Sequence, residues 1–340
     1  MPTFHDHHDH APDPLGPGHS GHPEGPGGDV PRGPTDLPRR SWWPVLRRTG
    51  LEFLEDELPD RAAALTYYGV LAVFPALLLL VSLIGLAGPS VTGRLIDDLA
   101  APAPGPAQDV LRGAVVQLQE GRGSSGVLAA VGLLGALWSV SGYIGAFIRA
   151  SNAVYDIREG RPVWKLTPIR LGLTVLLLVL LAASALIVVF TGPLARRAGD
   201  LLGLGDTALG VWSVAKWPVL VLLVVAMVAL LYWAAPNVRG RGLRWVSPGS
   251  VLAVVLWLLL SGGFAAYVAG FGSYNRTYGA VAGAIVFLVW LWLTNLAILL
   301  GLEFDAELVR QRGIEGGMAA TREPYLEPRD TRAWPDGAQP

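Results

Sequence analysis

Six uninterrupted apolar runs constrain this chain more than any other feature of its sequence. A helix rising about 1.5 Å per residue needs roughly 20 such residues to cross the hydrocarbon core of a bilayer. The runs cover residues 62–87, 126–148, 171–193, 212–234, 248–269 and 278–302. Leu, Val, Ala and Gly dominate them, which suits helices packing closely in lipid. Their continuity excludes an outer-membrane barrel, whose strands alternate apolar and polar positions over about ten residues. A charged fraction of 16% agrees, since soluble chains carry about 25%. The expected fold is an all-α integral membrane protein with six transmembrane helices.

Arginine and lysine between the runs set the expected orientation. Of those flanking the runs, fifteen lie just before the first run, in the second and fourth connectors, and just after the sixth; seven lie on the other side, including Lys216 at the end of a run. Both termini are therefore expected in the cytoplasm, with the chain in the inner membrane. Residues 1–40 hold nine prolines, seven glycines and all six histidines. Such a segment buries too little apolar surface to offset its ordering entropy, so it reads as disordered. His5, His7, His8 and His10 could at most chelate a metal loosely in that tail. Residues 41–310 form the membrane domain, and 311–340 are expected to be a second disordered tail.

Two amphipathic segments flank the first run. Ser41 reads as a cap before WWPVLRRTGLEFLEDEL, an interfacial helix with Trp42 and Trp43 at headgroup level and Leu46, Gly50, Phe53, Leu54 and Leu58 on one face. In the external loop, Val110, Leu111, Ala114, Val115 and Leu118 make the stripe of a short helix. REGRPVWKLTP and VRGRGLRWVSP, leading into the third and fifth runs, are alike. They are either the trace of a duplicated hairpin or one solution used twice: arginines, an interfacial Trp and a Pro in the first helical turn.

Four blocks carry a resemblance to a known family. They are AAALTYYGVLAVFPALLLLVSL; LWSVSGYIGAFIRASNAVYDIREGRPVWK; LYWAAPNVRGRGLRWVSPGSVLAVVLWLLLSGGFAAYVAGF; and SYNRTYGAVAGAIVFLVWLWLTNLAILLGLEFDAEL. Their content and order, over about residues 42–310, resemble the YihY/BrkB family of bacterial inner-membrane proteins, once described as a tRNA-processing ribonuclease. Val70 and Ala72 depart from it, standing where small polar residues are common. The resemblance implies six helices, a cytoplasmic-membrane location and transport, but no single activity.

The external stretch FGSYNRTYGA, at 271–280, offers two readings. Ser273 or Thr277 would cap the sixth helix, Tyr274 and Tyr278 would anchor it at the interface, and Gly279 and Gly283 would form a small-residue packing face. Alternatively, Asn275 and Arg276 beside a helix N-terminus would receive an anionic headgroup, making the stretch the mouth of a binding site. Deeper in, Tyr67 and Tyr68 need partners for their hydroxyls, and Pro75 frees a carbonyl near mid-span. They line a substrate path or glue the bundle, as do Ser139, Ser141, Tyr143, Ser261 and Asn295. At the cytoplasmic face Asn152, Tyr155, Asn237, Glu303 and Asp305 are a gate or a structural network.

No Asp, Glu, His, Lys or Arg lies near the middle of any run, which weighs against a carboxylate-driven ion pump. No cofactor is implied, no nucleotide-binding loop is present and no nucleic-acid partner is expected. With no cysteine and no structured cluster of metal ligands, an enzyme and in particular a ribonuclease is disfavoured. The expected partners are the bilayer and an anionic amphiphile or lipid. Transport or lipid handling in the envelope is the leading expectation, and a non-catalytic scaffold for envelope machinery is its rival.

Overall fold

The computed structural model describes residues 31, 33–85, 125–189, 206–239, 247–270, 275–322 and 324–335; at 35, 74, 76–85, 125–132, 136, 189, 206, 247, 269–270 and 275–280 the description is of the backbone. The expected external helix and the histidines of the first 22 residues lie outside these. Seven helices follow in order: α1 (Arg39–Glu55), α2 (Leu58–Gly85), α3 (Ser125–Val154), α4 (Val163–Val189), α5 (Asp206–Ala234), α6 (Ser247–Gly270) and α7 (Asn275–Glu315). A single 3-10 turn, Pro34–Asp36, precedes them. Among the described residues no strand is present, and five helices are long and apolar enough to cross a membrane, α3 to α7. The fold is thus all-helical and multi-pass.

Several helices run past the expected bounds. The third span begins at Val163 rather than 171, so Pro168 lies inside α4 and not in its first turn. Pro162 sits just before that helix and accepts from the Lys165 N–H at 2.8 Å, so it supplies the N-terminal proline there. The sixth span does not stop at 302: α7 is 41 residues long, about 60 Å, roughly twice the thickness of a hydrocarbon core.

Neighbours in sequence are neighbours in space. α2 packs on α3, α3 on α4, and so on to α7, which returns to α2, so α2–α7 close a ring; α7 also touches α3. Glycines set the closest approaches. Gly142 and Gly135 of α3, two turns apart, take Tyr68 and Pro75 of α2, where an added Cβ would lie 3.4 and 3.8 Å away. At the α6–α7 crossing the backbones touch: a Cβ on Gly249 would stand 2.1 Å from the Gly301 carbonyl oxygen, and one on Gly301 2.5 Å from that of Gly249. Gly283 behaves differently. A Cβ there meets nothing within 4 Å, so it is not the packing glycine the sequence suggested. Ile285 beside it is 54% exposed, and that part of α7 faces away from its neighbours.

Burial is uneven along the ring. At one end, called here the charged end, the interior is filled by Ile144, Phe147, Tyr155, Tyr232, Leu299 and Leu302, with Phe147 and Tyr232 stacked at 6.4 Å. Over 258–267 of α6, by contrast, only Ser261 and Phe264 are half-covered, and the rest is exposed. α5 over 207–222 is likewise open on all but one stripe. Among the described residues of α5 and α6, burial by neighbouring helices is greatest at the charged end and falls towards the other.

The two kinds of glycine give opposite expectations. Gly301→Val should destabilise by about 3 kcal/mol or more, because the Gly249 carbonyl, the Ala253 methyl and the Tyr232 hydroxyl leave its side chain no room. Gly283→Ala should be neutral or slightly stabilising, since Ala is the better helix former. Thermal unfolding of the purified protein in detergent, with both variants run beside the wild type, checks the pair.

Candidate polar collar at the charged end

α7 continues beyond its apolar run because α1 and the C-terminal segment cover it. Residues 301–310 are all buried. α1 begins at Arg39, so Ser41 is not its cap; it lies inside the helix and donates to Glu315 Oε1 at 2.5 Å. One turn on, Val45 and Thr49 are buried, and Val45 packs with Phe304 and Leu308. Arg48 pairs with Glu307 and donates to Gln311 at 2.7 Å; Arg310 answers from α7 by donating to Glu52 at 3.0 Å. The face that meets α7 is therefore polar and small, while Trp43, Leu46 and Leu54 on the other side are exposed.

The chain after α7 departs most from expectation. Over 311–335 the anticipated disordered tail is instead the last turns of α7 and a strap laid across the helix ends. Asn237 fastens it. Its Nδ2 donates to the Asp330 carbonyl at 2.7 Å, its Oδ1 accepts from the Asp330 N–H at 3.0 Å, and its own carbonyl accepts from Arg329 N–H at 2.8 Å. The Arg239 N–H donates to Glu327 at 2.9 Å, so Val238 and Pro328 form an isolated β-bridge. Gly160 lets the strap pass: a Cβ there would lie 2.1 Å from the Asp330 carbonyl oxygen. Tyr325 tucks beneath, its ring 6.2 Å from that of Tyr155 and 5.6 Å from the Arg310 guanidinium. Backbone pairing of this kind carries little compositional signal, which is why polar, proline-containing sequence read as disorder.

The five residues expected at the cytoplasmic face do come together at this end, along two connected lines. Asn152 accepts from the Asn237 N–H at 2.8 Å and donates to Glu159 at 2.8 Å. Arg161, 3% exposed, grips Glu159 through Nε and Nη2 at 2.7 Å each and reaches the Ala235 carbonyl at 2.7 Å. Burial would raise the Glu159 carboxyl, but the Arg161 guanidinium and the Asn152 amide outweigh it and hold the group below the usual carboxylate range. Glu159 and Arg161 escaped notice in the sequence; only their REGRP spacing hinted at them. Lys165, then Arg332, likewise depress Asp330. On the second line, Asp305 Oδ1 accepts from the Gly249 N–H at 2.6 Å, capping α6 from another helix. Glu303, 1% exposed, sits one turn before Glu307.

Within the membrane-spanning part the polar residues join helices. Tyr143 donates to Asn295 at 2.9 Å, and Asn295 donates to Thr66 at 3.1 Å, tying α3, α7 and α2. Arg170 donates to Ser141 at 2.5 Å, and Trp290 to Ser261 at 3.0 Å. Tyr68 lies beneath Arg149, 5.9 Å from its guanidinium, and edge-on to Tyr67, which is 62% exposed. Pro75 packs towards Gly135 without ending α2. Tyr67, Tyr68 and Pro75 thus lie along α2 and not in the collar. Tyr274 is outside the described residues, and so are the side chains of Asn275, Arg276, Tyr278 and Gly279, although 275–280 open α7.

Removing the amide that fastens the strap should free it. Asn237→Ala leaves the half-buried Asp330 backbone groups without their partner, a cost of about 1 kcal/mol. Limited proteolysis should then cut within 318–335 faster than in the wild type, as read by mass spectrometry of the fragments.

Comparison with known proteins places this architecture. The family described as "Virulence factor BrkB" matches residues 50–325. The ribonuclease-like protein YfkH of Bacillus subtilis is 33% identical over 255 residues, covering 74% of this chain and 90% of YfkH. A UPF0761 membrane protein of Stenotrophomonas maltophilia is 30% identical over 268 residues, covering 76% of this chain and 59% of that protein. One from Alkalilimnicola ehrlichii is 31% identical over 274 residues, 75% of this chain and 56% of that protein. The chain thus spans somewhat more than half of these two UPF0761 proteins. No solved structure matches. The match takes in every helix from α2 to α7, and the chain belongs to the BrkB family of membrane proteins.

Proposed function

We propose that this protein handles a lipid or another amphiphile of the cell envelope, holding its apolar chain along the thinly covered halves of α4, α5 and α6. The observation that carries the reading is the contrast in burial along the ring. A bundle built only for rigidity would pack its apolar surface throughout its length. Here the charged end is filled, while Gly262 and Gly263 of α6 have nothing within 4 Å of an added Cβ. Leu222, Leu259 and Tyr267 are at least 61% exposed. An apolar surface of this kind favours acyl chains, and the filled charged end would stop them there.

The remaining parts of the reading follow. α2, a 28-residue helix of high apolar content, is the sixth span. The charged end is cytoplasmic and the membrane is the inner one, by the excess of arginine there. α1 lies at the interface with Trp43, Leu46 and Leu54 towards lipid and its polar face on α7. Tyr274, Asn275, Arg276 and Tyr278 then stand at the external mouth, where a helix N-terminus and an arginine suit an anionic headgroup. Gly279 and Gly283 leave that mouth room. The ribonuclease-like name belongs to YfkH; the described residues offer no group of three acidic or histidine side chains able to hold a metal ion. A scaffold for envelope machinery is the second reading, favoured by the strap and the α1–α7 pairs, which make the charged end a firm platform.

Two measurements test these points. Mass spectrometry of lipids copurifying with gently extracted protein should show one anionic amphiphile enriched several-fold, and Gly263→Trp or Arg276→Ala should reduce it. Bulk lipid at bulk proportions in the wild type would exclude the amphiphile reading and leave the scaffold. The chain has no cysteine, so Thr331→Cys gives a single reporter on an exposed position. A membrane-impermeant maleimide should label it in inverted vesicles and not in intact cells.

A further inference from the structure

We propose that Asp56 and Glu303 form a proton-binding site, in which one proton shared by two carboxyl groups ties the turn between α1 and α2 to α7. The site needs only the geometry of the charged end and stands apart from the amphiphile reading.

Glu303 is 1% exposed, and no donor reaches its Oε2. An ionised carboxylate so placed would keep a desolvated charge with one oxygen lacking any donor, at a cost of several kcal/mol. The side chain within hydrogen-bonding reach is another acid, Asp56. Two carboxyl groups at that range do not both ionise readily; one proton between them converts repulsion into a hydrogen bond.

The surrounding charges do not supply a substitute. From α1 come Glu52 and Arg48, from the end of α3 Asp156 and Tyr155, from α7 Glu307 and Arg310, and from the strap Tyr325. Arg48 is engaged by Glu307 and Gln311, and Arg310 by Glu52 and Glu307. Arg61, the basic group nearest the turn, aims its Nε at the Asp56 backbone carbonyl, 2.7 Å away. Asp156 adds a further negative charge, and the described acids are not disposed to hold a metal ion. Both chain reversals here are left-handed at non-glycine residues, Glu57 at φ 53° and Asp156 at φ 52°. Such backbone costs about 1 kcal/mol or more per residue and persists only where its surroundings hold it.

Burial, followed by the charge of Asp156, pushes the Asp56 carboxyl up to about 7 even with Arg61 nearby. The direction of the pH effect follows. The folded protein keeps this proton to about pH 7, whereas an unfolded Asp releases it near 3.8. Stability therefore falls as pH rises between those values and levels off above the upper one. On release the proton goes to the adjoining solvent, and the negative charges left on Asp56, Glu303 and Asp156 push the α1–α2 turn away from α7. The turn is thus a device that cytoplasmic pH can loosen.

The test is an infrared pH titration of the full chain in nanodiscs. The wild type should show the C=O stretch of a buried carboxylic acid that persists past about pH 6, is half lost near pH 7 and is nearly gone by about pH 8. Glu303→Gln and Asp56→Asn should each abolish that titration. The melting temperature of the wild type should fall by a few degrees between about pH 6 and pH 8, and that of Glu303→Gln should stay level. Absence of the band in the wild type, or its survival in both variants, would overturn the proposal. Asp56→Asn lies on the half-buried turn and reads the same band without disturbing the core.

Discussion

The charged end depends on one contact, the crossing of α6 and α7 at Gly249 and Gly301. A helix that starts against another helix has free N–H groups where water is scarce, and each must find an acceptor. Asp305 provides it for Gly249, one turn beyond Gly301, and can do so only because both crossing residues lack a Cβ. That contact fixes the register of α7. Register in turn sets Glu303 against Asp56, Glu307 against Arg48, and Arg310 against Glu52 and Tyr325. Had α7 slipped by one residue, these groups would turn by about 100° and the buried charges would lose their partners. Breaking one such pair costs about 3–5 kcal/mol, so the register is strongly held.

Membrane character and the rough positions of the spans were legible because twenty apolar residues in a row have few other uses. So was the polar character of Asn152, Asn237, Glu303 and Asp305, which stand where apolar runs end. Their partners were not legible. Asn237 is satisfied by the backbone of residues some 90 positions later, and a backbone has no sequence signature. Helix ends were misjudged for a related reason. Hydropathy marks where lipid ends, yet α7 runs on because protein covers it there, and α4 begins earlier, directly after Pro162, on residues that are exposed or half-buried. Gly283 teaches the same lesson from the other side. Small-residue spacing in a helix is permission to pack, and the neighbours decide whether it is used.

The membrane-spanning hydrogen bonds have a division of labour. Tyr143, Asn295 and Thr66 join three helices near the filled end, where their groups would otherwise face hydrocarbon. Towards the other end, such links are fewer among the described residues: Trp290 to Ser261 is one, and it joins only α7 to α6. Among the described residues, polar links between helices are concentrated at the filled end, and the thinly covered halves meet mainly through apolar side chains.

The strap also bears on how the protein is made. Translation delivers chains from the N-terminus, and domains begin folding before synthesis is complete. Residues 318–335 emerge after every helix, yet they satisfy Asn237, cover Gly160 and place Tyr325 beside Tyr155. The inserted helices therefore wait at the ribosome with an unfinished polar end, and a chain truncated in its last few dozen codons exposes that end to the proteases that survey new membrane proteins.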